Sequence, residues 1–123
     1  MIEILLAIAA IAQQPAEAPA AQPVQGARLS IEAQAGLRCS AAFALVAYDQ
    51  EHGVASAQQW PAIDPRGREY FVRTMAKLMD ETGVDREAAA ELVRLEAQRL
   101  LDAGEVDAVM PACLTLLEAS GIR

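Results

Sequence analysis

Eight consecutive residues, Ala41 to Tyr48 (AAFALVAY), carry neither a charge nor an amide, so a helix through them has no face suited to water. A helix that is apolar all round has to be enclosed by other elements. This places it at the centre of a small fold and demands partners with apolar stripes of their own. Its expected span runs from near Ser30 or Leu37 to His52, with Ser30 as an N-cap, Gly36 as a break and Gly53 as the stop.

Three further stripes supply the partners. Asp64-Pro65 reads as an N-cap followed by proline at the first helical position, where its missing N–H costs nothing. Phe71, Met75, Leu78, Met79 and Thr82 then fall on one helix face before Gly83. Asp85 opens the next stripe, in which Ala89, Leu92, Val93, Ala97, Leu100 and Leu101 point inward before Gly104. Val106, Val109, Met110, Cys113, Leu114 and Leu117 form the last, interrupted by Pro111, which predicts a kink or a turn that restarts as helix. β-Branched residues are sparse and no alternating run supports a strand. The expected fold is all-α: a small four-helix bundle with helices near residues 37–52, 65–82, 86–103 and 106–119.

The segments ahead of the bundle differ in kind. Nine apolar residues, Ile4 to Ala12, match a secretory h-region and fall short of the roughly 20 that span a bilayer. Ala10-Ile11-Ala12 offers small residues for cleavage, so residues 1–12 are expected to be a signal peptide. Glu3 stands where a leader carries Lys or Arg, which means an upstream start or an atypical leader. Residues 13–28 (QQPAEAPAAQPVQGAR) place prolines at 15, 19 and 23, a spacing that forbids helix and predicts a disordered Ala/Pro/Gln-rich arm. The helical domain is expected over residues 29–123. After cleavage the chain would span no membrane, and its location would be periplasmic or secreted.

That compartment bears on the two cysteines. In an oxidising environment an even count in a small domain reads as a disulfide, and Cys39 with Cys113 is the one intramolecular pairing available. A domain near 90 residues buries only about 60–65% of its unfolded surface, so such a staple adds usefully to a modest core.

Chemistry is harder to find. The net charge of −7, with arginines and acids interspersed, lacks the basic stripe that nucleic acid requires. His52 is the only histidine; with Asp49 it makes half a metal site, while its place at a helix end explains it as a cation at the negative pole. Trp60 lies in the longest connection of the domain and is expected to fold over one end of the bundle, its indole N–H on a carbonyl; a ligand contact is the alternative role for Trp60 and His52. No nucleophile with a positioned base and no phosphate-binding glycine loop is present, so no catalytic residue, metal ligand or cofactor site is assigned.

The two cysteine segments, LRCSAAFALVAY and DAVMPACLTLLEASG, resemble those of small exported helical proteins of proteobacteria, which carry one cysteine at the head of the first domain helix and one near the C-terminus. The resemblance covers residues 37–120; it implies export and a helical fold, and brings no activity. In outline the chain is also similar to the periplasmic acid-stress chaperones, which are small, helical and closed by one disulfide, although it lacks their lysine-rich tail. Two functional expectations follow. One is a non-enzymatic envelope protein that binds a protein partner or client through an apolar helix face, with Met75, Met79 and Met110 as adaptable surface, although the usual burial of methionine favours core filling for all three. The other is a small-molecule or metal binder, or a minor enzyme, built on the Trp60 loop and His52.

Overall fold

The computed structural model describes residues 29–123, so the leader and the arm expected over 1–28 lie outside the described residues. Within them the chain forms α1 (Ile31–Glu51), α2 (Arg66–Thr82), α3 (Arg86–Ala103) and α4 (Val106–Ala119), with a short 3₁₀ turn at Ala55–Gln59 and no strand. It is the expected four-helix bundle. α1 packs on each of the other helices and on the 3₁₀ turn, whereas α2 touches α3 and α4 less extensively.

The central position of α1 follows from its small residues. Gly36, Ser40, Ala41 and Ala42 are buried, and their short side chains let neighbouring helices approach closely. At Gly36 an added Cβ would lie 2.8 Å from Thr74 Cγ2, so α1 and α2 pack closely here. The glycine is therefore a packing position and not a break. α1 runs through it from Ser30, whose hydroxyl accepts from Ala33 N–H at 3.0 Å. Enclosure is complete only in the first part of the apolar run: Ala44 is exposed and Tyr48 is 61% exposed, and both line an open cleft between α1 and the start of α2.

Three helix-level expectations are corrected in detail, and one open alternative is decided. Asp64 does not cap α2; Pro65 takes the cap position after a cis peptide bond, and the Asp64 carboxylate accepts from Arg68 one turn on, at 3.3 Å. Leu101 is 54% exposed, since the inward step at the end of α3 belongs to the fully buried Leu100. Pro111 neither interrupts nor restarts α4: Pro111 and Asp107, whose carbonyl loses its partner, are both exposed, so the missing bond faces water. Finally, the methionines are core rather than surface. Met110 and Met75 are buried, and Met79 is partly buried against the same cluster.

The staple is present. Cys39 and Cys113 are bonded, both buried, with Cα atoms 5.1 Å apart, tying the third turn of α1 to the middle of α4. Around them sit Phe43, Leu100, Met110 and Leu117, with the Phe43 ring edge-on to Tyr70 at 5.3 Å. Two buried residues lie outside both the four helices and the 3₁₀ turn. Ile63 plugs the entry to α2, and Ile122 follows the left-handed turn at Gly121 back into the core, its carbonyl accepting from Arg66 Nε at 3.2 Å.

Candidate functional site

His52 and Trp60 each close a segment of chain, and they do so with different partners. His52 caps α1: its backbone N–H and its Nδ1 both point at the Tyr48 carbonyl, at 3.1 and 2.7 Å. A carbonyl only accepts, so Nδ1 carries the proton. The imidazole also stacks on the Tyr48 ring at 4.0 Å. Trp60 is half-buried, and its indole N–H donates to Asp107 Oδ1 at 3.2 Å, a carboxylate in the first turn of α4 instead of the expected carbonyl.

The loop between α1 and α2 is organised by a residue that sequence reading passed over. The Gln50 amide nitrogen lies 3.0–3.2 Å from the carbonyls of Ala57, Trp60 and Pro61, while its oxygen accepts from Ile63 N–H at 3.1 Å. One side chain thus satisfies backbone groups along seven residues of irregular chain. Neither His52 nor Trp60 borders the cleft that α1, α2 and α4 form together.

That cleft, of about 690 Å³, lies where the first turns of α1, the outer face of α2 and the end of α4 converge. Its floor is the buried trio Gly36, Leu78 and Ile122. On α2, Tyr70, Thr74, Lys77, Leu78 and Glu81 line it at steps of four, three, one and three, a single helix face. α4 contributes Leu116 and Ala119. The lining is mostly apolar, and two large aliphatic side chains stand at its margin in water: Ile31, 87% exposed, and Leu116, 39% exposed.

Charges frame this apolar floor. Lys77 Nζ bonds Glu32 Oε1 at 2.8 Å, joining the first turn of α1 to α2 across the rim, and lies 3.8 Å from Glu81. The ammonium beside Glu32 holds that carboxyl below its ordinary range, and the carboxylate in turn raises Lys77. Burial pushes the Tyr70 hydroxyl up. Arg73 is engaged by Glu69 at 2.6 Å.

The remaining clefts are smaller. One of about 410 Å³ holds Arg38, Glu96, Arg99 and Glu105, in which Glu96 bridges Arg99 at 2.6 Å and Arg38 at 3.9 Å. Among the described residues no three His, Cys, Asp or Glu side chains group closely enough to hold a metal ion, and no helix is long and apolar enough to cross a membrane. The arrangement can therefore bind an apolar surface with polar anchors at its edge.

A sequence signal for the cleft did exist. Ile31 and Leu116 are apolar residues off the inward stripes of their helices: Leu116 sits one step from Leu117, and Ile31 precedes the first buried turn of α1. Searched against known proteins, the chain matches no family model, no curated protein and no solved structure.

Proposed function

We propose that this protein is a non-enzymatic, exported helical protein of the cell envelope that binds a protein partner or client through the cleft between α1, α2 and α4. The observation that carries this reading is the pairing of an apolar floor with two solvent-exposed aliphatic residues, Ile31 and Leu116, at one margin. Isolated exposed side chains are ordinary on a soluble domain, whereas a concave apolar surface flanked by such residues is what docking sites present. Export, to the periplasm or outside the cell, is supported by the buried Cys39–Cys113 bond, which belongs to an oxidising compartment. Membership of the small exported two-cysteine helical proteins is part of the same proposal.

The rim gives the reading a pH dependence. Glu32, Arg73, Lys77 and Glu81 are the ionisable side chains framing the cleft together with Tyr70. Acid that protonates Glu32 removes the Glu32–Lys77 strut across the rim and widens access to the floor. Fluorescence of an apolar dye and suppression of aggregation of an unfolding client, followed from neutral to acid pH, test this. The wild type is expected to bind dye and client increasingly as pH falls, and Leu116→Asp to bind less at every pH. A protein that stays dye-silent and inactive on clients throughout, while a metal ion or small ligand raises its melting temperature, would replace this reading with ligand binding at the Trp60 loop and His52.

A further inference from the structure

We infer that the cleft between α1, α2 and α4 is a self-association surface, occupied in the absence of other partners by the same face of a second copy of this chain. The inference rests on the reading of that cleft as a protein-docking site and names its resting occupant. Two properties select a copy over a stranger.

The first is charge. The chain carries a formal charge of −7, so two copies repel over most of their surfaces. The charged side chains lining the cleft are Glu32, Glu81, Arg73 and Lys77, two of each sign, so this face is locally neutral. A basic partner would be drawn to the acidic remainder of the molecule. A like-charged copy meets least repulsion here, and a two-fold axis through the cleft can set the cations of one copy against the carboxylates of the other.

The second property is shape. In a two-fold interface a patch meets itself, so it has to carry both a projection and a recess. This face has both within one turn of each helix: Ile31 projects with 87% of its surface in water, beside the cleft floored by Leu78 and Ile122. Seating Ile31 of each copy in the recess of the other covers both projections and both floors in one contact. The cleft holding Arg38, Glu96, Arg99 and Glu105 is also balanced in charge, but none of the large exposed apolar residues borders it.

Sedimentation of the oxidised protein over a wide concentration range, at low and high salt, tests the inference. Expected is a monomer–dimer equilibrium that tightens with added salt, because screening relieves the overall repulsion. Ile31→Asp and Leu116→Asp should abolish the dimer, while Leu101→Asp, on α3 outside the cleft and with an exposure between those of the other two, should leave it intact. Circular dichroism melts of the three variants confirm that each remains folded. A wild type that is monomeric throughout overturns the inference; so does a dimer that survives both cleft variants, or one lost in all three. The docking reading fails separately: a monomeric wild type whose dye and client binding is still weakened by Leu116→Asp keeps that reading and removes only the second copy.

Discussion

Replacing Gly67 by alanine sets two opposed effects against each other at a site where their sizes can be compared. Gly67 is the second residue of α2, and its N–H donates to the Ile63 carbonyl at 2.7 Å. An alanine Cβ there would lie 2.3 Å from Ile63 Cγ2 and 3.4 Å from Phe43 Cβ. Ile63 is buried and cannot swing aside, so the clash falls in the class of overpacked cores, at about 1–3 kcal/mol. Alanine's helix preference over glycine returns at most ~1 kcal/mol. With the full offset the net loss is about 0–2 kcal/mol, centred near 1 kcal/mol, or up to roughly 15 °C in melting temperature for a domain of this size. Gly36→Ala is the internal comparison. Its Cβ meets Thr74 Cγ2 at 2.8 Å, but Thr74 is only partly buried and its side chain can rotate, so the outcome should lie within about 0.5 kcal/mol of wild type. Thermal and urea melts of both variants provide the measurement. The pair Gly67→Ala and Ile63→Ala adds a sign test: alanine at 63 removes the clashing methyl, so the double variant should be more stable than the two single losses predict. Gly67→Ala as stable as Gly36→Ala, or additive with Ile63→Ala, would refute the steric argument.

Further expectations are as direct. Reducing the Cys39–Cys113 bond, which closes a separation of 74 residues, should lower stability by about 4.5 kcal/mol in the chain-entropy model; urea midpoints of oxidised and reduced protein that nearly coincide would exclude this. Gln50→Ala strands the Ile63 N–H and the carbonyls of Trp60 and Pro61, while the Ala57 carbonyl keeps the Trp60 N–H, and should cost about 1–3 kcal/mol and shift Trp60 fluorescence to the red as the loop loosens; an unchanged emission maximum counts against the role given to Gln50. Ser40→Ala removes a hydroxyl that is fully buried with no partner, so it should be neutral or stabilising by about 1 kcal/mol, and a marked loss in the melt would show that the hydroxyl is in fact bonded. Because Lys77 holds Glu32 below the ordinary carboxyl value of 4.5, their pair stabilises the fold above that pH and ceases to as pH falls through the lowered value. The melting-temperature gap between wild type and Glu32→Gln should therefore close in acid, and a gap that persists there would remove the pair as its cause.

The helices were legible because their stripes and caps agree. Asp85 is an N-cap by sequence and by structure, with Ala88 N–H on its carboxylate at 2.8 Å, and Gly83 and Gly104 end their helices at positive φ. What escaped is instructive in physical terms. Ile63 and Ile122 are buried but lie outside any helix, where periodicity gives no signal. Leu101 and Tyr48 satisfy a stripe yet face water, because a stripe gives direction and only the neighbouring helix decides where cover ends. The methionines illustrate the same limit for function: Met75 and Met110 allow adaptable surface as well as the commoner core filling, and only packing distinguishes the two. His52 and Trp60 drew attention as rare residue types, whereas the cleft is made of common ones, Ile, Leu, Ala and Gly, whose significance lies in being off the stripe or lacking a side chain.

The bond between α1 and α4 also sets an order of events during synthesis. Cys39 leaves the ribosome 74 residues before Cys113, an interval of about 4–15 s at ordinary elongation rates. Throughout it the α1 face that will receive Met110, Cys113 and Leu117 has no cover, and the Cys39 thiol has no legitimate partner on its own chain. Oxidation that outruns translation can join Cys39 only to another molecule. If the chain meets an oxidant while it is still being made, native pairing depends on an isomerase that can reverse the premature link before α4 docks and seals both sulfurs from water; if the oxidant arrives afterwards, the two thiols pair directly.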